Sequence, residues 1–180
     1  LLDDLFAGAA PVPADAALYV ATTLGGIDRL ETAVLAGGRD DGESRIARLP
    51  RQVADRLGLR GGPVQTVSSA CASSAAALAL AASAIRRGEI SCALVVGADL
   101  LSEFVLSGFA ALLAVDPGGA RPFDADRRGM TVGSAATFAL LMSRGRMARE
   151  GRRPLGVIGG WGLTCDANHL TGPSRDGAPL

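Results

Sequence analysis

The chain has 180 residues, 48% of them hydrophobic and 20% charged, so it can bury one full core and is globular rather than disordered. Eighteen basic residues balance eighteen acidic ones, which gives no electrostatic reason to expect nucleic acid or an anionic membrane as a partner. The three cysteines have neither disulfide-framework nor zinc-type spacing. We therefore expect one cytoplasmic unit without a transmembrane segment.

The first half of the chain alternates short apolar runs with helical stretches. Residues 17–23 predict a strand, residues 27–49 have a polar helical tendency, and Pro50 opens a further helix. Residues 64–69 predict a second strand, and residues 72–87 predict a helix that ends in basic residues followed by glycine. That helix is so rich in Ala and Ser that we expect it to be buried between two layers.

The second half continues the alternation and adds a long polar loop. In chain order, the pattern predicts a strand buried on both faces over 92–99, a helix over 103–115, a Gly-, Pro- and Asp-rich loop over 116–129, a strand over 130–143, a short basic helix over 144–151 and a strand over 154–164. Strands and helices in short alternation predict an α/β fold, a sheet with helices on its faces.

Cys71 stands at the predicted junction of the strand 64–69 and the helix 72–87. Unpaired N–H groups and the dipole at a helix N-terminus favour an anion, and therefore the nucleophilic thiolate. The same N–H groups can hold an oxyanion on a thioester carbonyl attacked by the sulfur. The alternative is a buried structural cysteine. Packing is the expected role of Cys92, inside an apolar strand, and the favoured role of Cys165.

Four stretches between residues 50 and 177 share their order and spacing with one enzyme family. They are "VQTVSSACASSAAALALAASAIRRGE" with "ALVVGAD", then "GFAALLAVDP", "ARPFDADRRGMTVGSAA" and "CDANHLTGPSRDG". In these stretches the chain resembles the N-terminal half of the β-ketoacyl-acyl-carrier-protein synthases, condensing enzymes of the thiolase superfamily. The resemblance implies a thiolase-like fold, a layered α/β architecture with helices packed on a mixed sheet, of which this chain holds the first of two halves. We expect one domain over residues 1–180, incomplete at both ends.

The resemblance also implies roles for individual residues. Cys71 matches the acyl-accepting nucleophile of the family. Asp166, His169 and Thr171 match a loop that borders the substrate channel and takes part in gating, where Thr171 contacts the pantetheine arm. Phe109 matches an aromatic residue that lines the acyl pocket. The alternatives are a loop residue that bonds backbone for His169 and ordinary helix core for Phe109, and we do not expect His169 to be the base for Cys71.

Two further segments resemble the family less closely. Asp124 and Arg128 match a segment that ties loops near the active site, with a solvated charged loop as the alternative. Gly133, Ser134 and Ala135 stand where the family commonly carries Gly-Glu-Gly or Gly-Asp-Gly, so an acid and a glycine of that pattern are replaced.

The family residues that act on the malonyl thioester, two histidines and a lysine, belong to later motifs. None of these motifs occurs here, and all eighteen basic residues are Arg. We therefore expect residues 1–180 alone to do no more than acylate themselves. The sequence is either part of a longer synthase or a shortened protein, and a small-residue helix that would lack a covering layer favours the first.

The leading interpretation is a 3-oxoacyl-[acyl-carrier-protein] synthase of fatty-acid or polyketide and polyene biosynthesis. Cys71 would accept an acyl chain, which a decarboxylative Claisen condensation with malonyl-carrier protein would extend. The implied partners are acyl carrier protein, whose phosphopantetheine arm carries the substrates, and a second ketosynthase-fold chain in a homodimer or heterodimer, with the strand 64–69 at the shared sheet edge. We expect no cofactor and no metal. A non-catalytic partner resembling a chain-length factor, and a cysteine-dependent acyltransferase of the same fold, stay open.

Overall fold

A four-stranded mixed sheet forms the centre of the protein. The computed structural model describes residues 6–8, 11–169, 174, 176 and 177. The strands are β1 (Ala17–Ala21), β2 (Val64–Val67), β3 (Cys92–Asp99) and β4 (Ala135–Met142). They lie in the order β2-β1-β3-β4, with β1 parallel to both β2 and β3 and β4 antiparallel to β3. The carboxyl ends of the three parallel strands therefore meet at one edge of the sheet.

Helices connect these strands as the alternating pattern predicts. Those of the described residues are α1 (Ile27–Leu35), α2 (Leu49–Arg56), α3 (Ser73–Arg86), α4 (Glu103–Ala111) and α5 (Arg144–Arg149). Pro50 lies in the first turn of α2, where the missing N–H costs nothing. The predicted α/β fold with helices packed on a mixed sheet is confirmed.

The two central strands are buried on both faces, as the apolar run of β3 predicts. On one face, Tyr19 and Val95 pack against alanines of α3 such as Ala77. On the other face, Leu18 and Leu94 pack with Val53 of α2 and with its neighbours. Alternate residues of β1 and β3 thus enter two separate apolar clusters, since successive side chains of a strand point to opposite faces. The result is a layer of helix on each side of the sheet.

The outer surfaces of α3 and α4 remain exposed. α3 buries its alanines on the sheet, but Leu80 is 45% exposed, so the prediction of a helix between two layers holds on one side only. α4 is apolar and has no buried residue, and its Phe104 is 58% exposed. The helix predicted over 103–115 ends at Ala111, and Leu113 beyond it has a left-handed φ of 56°.

The strand predicted over 154–164 is wrong. In the described part of the chain, residues 150–169 contain neither helix nor strand. Four glycines interrupt the segment, and glycine weakens a strand because it adds entropy and no side chain to pack. The ring of Trp161 instead lies 4.6 Å from the guanidinium of Arg86, at the end of α3. The strand predicted over 130–143 likewise starts only at Ala135.

Candidate active site

Cys71 lies just beyond the carboxyl end of β2, in the turn that leads into α3. Its side chain is exposed, so it is not the buried structural cysteine of the alternative interpretation. The thiol opens on a cleft of about 220 Å³ at the edge where the parallel strands end. The residues that line this cleft have small or short side chains or none, and they are Ala21, Thr23, Ala70, Cys71, Ser73, Ser74, Gly97, Ala98, Asp99, Gly133, Ala135, Ala136 and Thr137.

The residue before Cys71 has an unusual backbone conformation. Ala70 has a φ of +46°, in the left-handed backbone region that residues other than Gly, Asn and Asp rarely adopt. Its carbonyl oxygen accepts hydrogen bonds from the N–H of Ser73 at 3.2 Å and from the Ser73 hydroxyl at 2.6 Å. The hydroxyl of Thr23 donates to the same oxygen at 3.4 Å. Surrounding hydrogen bonds thus hold a sharp turn that displays Cys71.

A carboxylate at the end of β3 ties the neighbouring strand end to this turn. Asp99 accepts a hydrogen bond from the Thr22 hydroxyl at 2.7 Å and from the N–H of Thr23 at 3.0 Å to each of its oxygens. The Ser68 hydroxyl, at the end of β2, donates to the Thr23 carbonyl at 3.4 Å. The ends of β1, β2 and β3 therefore form one hydrogen-bonded unit around the cleft. Our sequence interpretation missed both Thr23, which comes shortly after the apolar run of β1, and Asp99, which ends the apolar run of β3.

α3 begins at Ser73, two residues after Cys71 and one residue later than predicted, and its first turn lies close to β3. A Cβ atom built on Gly97 would stand 2.7 Å from the Ser74 hydroxyl, so only glycine lets the two elements approach this closely. The positive end of the α3 dipole lies at its first residue, two positions after Cys71 in the sequence. N–H groups at the start of α3 can stabilise the oxyanion that forms when the sulfur attacks a carbonyl carbon.

Phe109, His169 and Asp166 lie outside this cleft. Phe109 is half-buried in α4, and the exposed His169 lies in the C-terminal loop. Asp166 accepts hydrogen bonds from the N–H of Asn168 at 3.3 Å and of Ser174 at 2.9 Å. Among the described residues, none of these three predicted residues lines the Cys71 cleft. Thr171 lies outside the described residues, and the substrate-binding roles of all four stay predictions.

The segments that resemble the family less closely are exposed. Asp124 accepts the N–H of Asp126 at 2.7 Å within an exposed loop, and Arg128 is exposed beside it, in agreement with the solvated-loop alternative. Ser134 stands where the family commonly has an acid. Its hydroxyl accepts the N–H of Leu101 at 2.8 Å and so satisfies a backbone donor near the rim of the cleft.

The remaining cysteines differ from Cys71 in environment. Cys92 is buried at the start of β3, and burial raises the pKa of its thiol to about 11. Its predicted packing role is confirmed, whereas Cys165 is exposed and the packing role favoured for it is wrong.

In the part of the chain that the structure describes, no group of three or more His, Cys, Asp or Glu side chains is arranged to hold a metal ion. None of the helices described is long and apolar enough to cross a membrane.

Sequence relatives place this site in a known family. The family described as "Beta-ketoacyl synthase, N-terminal domain" matches residues 16–146. Nodulation protein E of Rhizobium meliloti is 36% identical over 167 residues, which cover 88% of this chain and 41% of the relative. The 3-oxoacyl-[acyl-carrier-protein] synthase 2 of Rhizobium meliloti (strain 1021) is 32% identical over 171 residues, which cover 84% of this chain and 41% of the relative. The chain thus spans about two fifths of the length of these relatives.

Solved structures share the fold over nearly the whole chain. The ishigamide ketosynthase/chain length factor superposes with a TM-score of 0.78 at 31% identity, over 90% of this chain and 43% of that one. A ketosynthase in complex with its chain length factor from Xenorhabdus doucetiae gives a TM-score of 0.76 at 28% identity, over 99% of this chain and 44% of that one. The family match, the relatives and the shared thiolase-like half-fold establish that the chain belongs to the β-ketoacyl synthase family and corresponds to its N-terminal domain.

Proposed function

We propose that the protein is a condensing acyltransferase, a 3-oxoacyl-[acyl-carrier-protein] synthase, in which Cys71 accepts the acyl chain. One observation carries this proposal: an exposed thiol stands on a hydrogen-bonded, left-handed turn at the start of α3. The cleft around it is lined by small side chains, which leaves room for a thioester to approach. Membership of the β-ketoacyl synthase family supports a condensing reaction.

In the first step the Cys71 thiolate attacks the carbonyl carbon of an acyl thioester. The carbonyl oxygen becomes an oxyanion, which N–H groups at the start of α3 stabilise. When the intermediate collapses, the carbon–sulfur bond to the carrier's pantetheine breaks, and that sulfur leaves as a thiolate and takes up the proton lost by Cys71. The acyl chain is then a thioester on Cys71.

The second step extends the chain by two carbons. Malonyl-carrier protein loses CO2, and the resulting carbanion attacks the thioester carbonyl on Cys71. The Cys71 thiolate leaves, and the product is a β-ketoacyl thioester on the carrier. In the family that the chain resembles, the groups that act on the malonyl unit belong to later motifs, which do not occur in residues 1–180.

The proposed partners are an acyl carrier protein and a second ketosynthase-fold chain. β2 is one of the two outer strands of the sheet, and in the described part of the chain no strand pairs with its outer edge, which offers N–H and C=O groups to a strand of the partner. The two solved structures compared above include a chain length factor, which supports a partner of this fold. We further propose that Asp166, His169 and Thr171 border the channel through which the pantetheine arm reaches Cys71, and that Phe109 lines the acyl pocket.

The test is a condensation assay with the full-length protein, acyl-carrier protein and malonyl-carrier protein. We expect a β-ketoacyl product by mass spectrometry, and we expect Cys71→Ala to reduce its formation by roughly a thousandfold or more. Cys92→Ala is the matched control, because Cys92 is buried away from the cleft, and it should retain the product.

The other outcomes identify the alternatives. Acyl transfer to Cys71 without consumption of malonyl-carrier protein would overturn condensation in favour of an acyltransferase. If Cys71 takes no acyl group, but the protein changes the product length of an active synthase, the protein is a partner of the chain-length-factor type.

A further inference from the structure

We propose that Ser73 is a positioning residue that fixes the orientation of the Ala70–Cys71 peptide and thereby the reactivity of Cys71. The inference concerns the geometry of the thiol, and it rests on the proposed function only where the reaction is acyl transfer. Ser73 is 4% exposed and is the first residue of α3.

The Ser73 hydroxyl uses both of its hydrogen-bonding capacities on the turn that precedes it. It accepts the N–H of Ser69 at 2.8 Å and donates to the carbonyl of Ala70 at 2.6 Å. Since a hydroxyl has one proton to donate, these two bonds fix its rotor. An alanine at position 73 would remove both hydrogen bonds, and the N–H of Ser69 and the carbonyl of Ala70 would each lose a partner.

Ser73 does not serve as an ordinary helix cap. The N-cap of α3 is Ala72, which makes no side-chain capping hydrogen bond. Other helices of the protein place a serine at the N-cap, as Ser143 does for α5, where its hydroxyl accepts the N–H of Arg146 at 3.3 Å. In α3 the serine is displaced into the helix, and its hydroxyl bonds the turn that holds Cys71 instead of the helix N–H groups.

The carbonyl that Ser73 holds belongs to the peptide that joins Ala70 to Cys71. This peptide is trans, so its carbonyl and the N–H of Cys71 point in opposite directions in one plane. Fixing the carbonyl therefore fixes the direction of the Cys71 N–H and the position of its Cα. Because Ala70 has a φ of +46°, the peptide would relax toward the ordinary region if these bonds were removed.

A second, weaker brace holds the same carbonyl from β1. The Thr23 hydroxyl donates to it at 3.4 Å, and the backbone of Thr23 is itself held by Asp99 at 3.0 Å. The order of distances predicts that Ser73 contributes more than Thr23 to the geometry of the turn.

The test measures Cys71 in the full-length protein in two ways. The first is the rate constant for alkylation of Cys71 by iodoacetamide, followed by peptide mass mapping. The second is the rate and the KM of acyl transfer from acyl-carrier protein. We expect Ser73→Ala to slow both reactions of Cys71 by about tenfold, the scale on which a small misplacement affects a reacting group, with the KM unchanged.

Two further variants separate positioning from a general structural role. Ser73→Thr keeps the hydroxyl and should restore most of the rate. Ser143→Ala removes a serine hydroxyl bonded to a helix N–H at the far end of β4, and it should leave both rates unchanged. The proposal is overturned if Ser73→Ala reacts like the wild type, if Ser73→Thr is equally slow, or if Ser143→Ala slows Cys71 as much.

A variant of the weaker brace covers the case in which Ser73→Ala does not fold. Thr23→Val removes the exposed hydroxyl that bonds the same carbonyl, and it should slow alkylation of Cys71 by a smaller factor. A rate equal to that of the wild type would then contradict the proposal. Alkylation needs no acyl donor, so a loss of alkylation without any acyl transfer in the wild type would uphold the positioning role and overturn the proposed function.

Discussion

Cys71 and Cys92 lie at opposite ends of the same sheet and have opposite environments. Cys71 follows the carboxyl end of β2 and is exposed in a cleft, whereas Cys92 opens β3 and is buried. At the Cys92 end, the guanidinium of Arg146 donates hydrogen bonds to Asp15 at 2.7 Å and to Glu150 at 2.6 Å.

The comparison shows how one α/β layer makes one thiol available and another inert. At the carboxyl ends of the parallel strands, short polar residues bond to each other and leave a cleft. At the amino end of β3, an ion-pair cluster of Arg146, Asp15 and Glu150 lies near the buried Cys92, and burial raises the pKa of its thiol to about 11. The two residues are of the same type, so the difference in their expected reactivity comes from the position of each cysteine on the sheet.

The largest expected effect is a difference in alkylation between the two thiols. At pH 8 a thiol with a pKa of about 11 is a thiolate in about one molecule in a thousand, and Cys92 is also buried. Iodoacetamide should therefore modify Cys71 completely before it modifies Cys92, as measured by peptide mass mapping. Similar rates at the two sites in the folded protein would break the comparison.

A substitution in the buried middle of the sheet should weaken the protection of Cys92 against alkylation. Leu94 is fully buried, so Leu94→Ala should lower the free energy of unfolding by about 2–5 kcal/mol. Alkylation of Cys92 should then rise, because it proceeds through opening of the fold. Leu113 is 88% exposed, and Leu113→Ala is the matched control, expected within about 0.5 kcal/mol of the wild type by urea denaturation. Equal losses in the two variants would contradict the buried core described here.

A substitution at the carboxyl end should change the alkylation of Cys71. Gly97→Ala places a Cβ atom 2.7 Å from the Ser74 hydroxyl, so we expect a loss of about 1–3 kcal/mol and altered alkylation of Cys71. Adding Ser74→Ala should recover part of the loss, since the Ser74 Cβ is 3.8 Å away. A double variant no more stable than Gly97→Ala would show that the Ser74 hydroxyl is not the cause.

The smallest effect is expected at the amino end, and it depends on pH. Hydrogen bonds from Arg146 hold the pKa of Asp15 and of Glu150 below their usual values. A carboxyl whose folded pKa is depressed stabilises the protein above its unfolded pKa of about 4, and this stabilisation is lost as the pH falls through the folded value. Arg146→Met should therefore lower the thermal midpoint by a few degrees at pH 7, and the gap should narrow below about pH 4.

The same variant provides its own control at the other end of the sheet. Arg146→Met should leave the alkylation rate of Cys71 unchanged, because Arg146 does not line the cleft. A gap in thermal midpoint that stays constant between pH 7 and pH 3 would contradict the contribution of the two carboxyls.

The elements that could be predicted from the sequence are those with strong local patterns. β3 is a continuous apolar run, and its predicted and observed bounds are the same. α3 is bounded by the Cys71 turn and by basic residues before Gly88, and it starts and ends within one residue of the prediction. The place of Cys71 followed from the end of the predicted strand 64–69 and the start of α3.

Features that depend on contacts between distant residues could not be predicted. Asp99 and Thr23 are 76 residues apart, and only the parallel pairing of β1 and β3 brings them together. The role of Ser73 depends on the left-handed conformation of Ala70, which no residue type indicates, since alanine rarely adopts it. The segment 154–164 has an apolar composition typical of a strand, but its glycines and the contact of Trp161 with Arg86 decide otherwise.

The most direct test of the account is to locate the acyl group after transfer. The full-length protein would be incubated with isotope-labelled acyl-carrier protein, quenched in acid, digested and mapped by mass spectrometry. We expect a thioester-linked acyl group on the peptide that contains Cys71, present in Cys92→Ala and absent in Cys71→Ala. A label on another residue, or a label that persists in Cys71→Ala, would contradict the central claim that Cys71 is the acyl-accepting nucleophile.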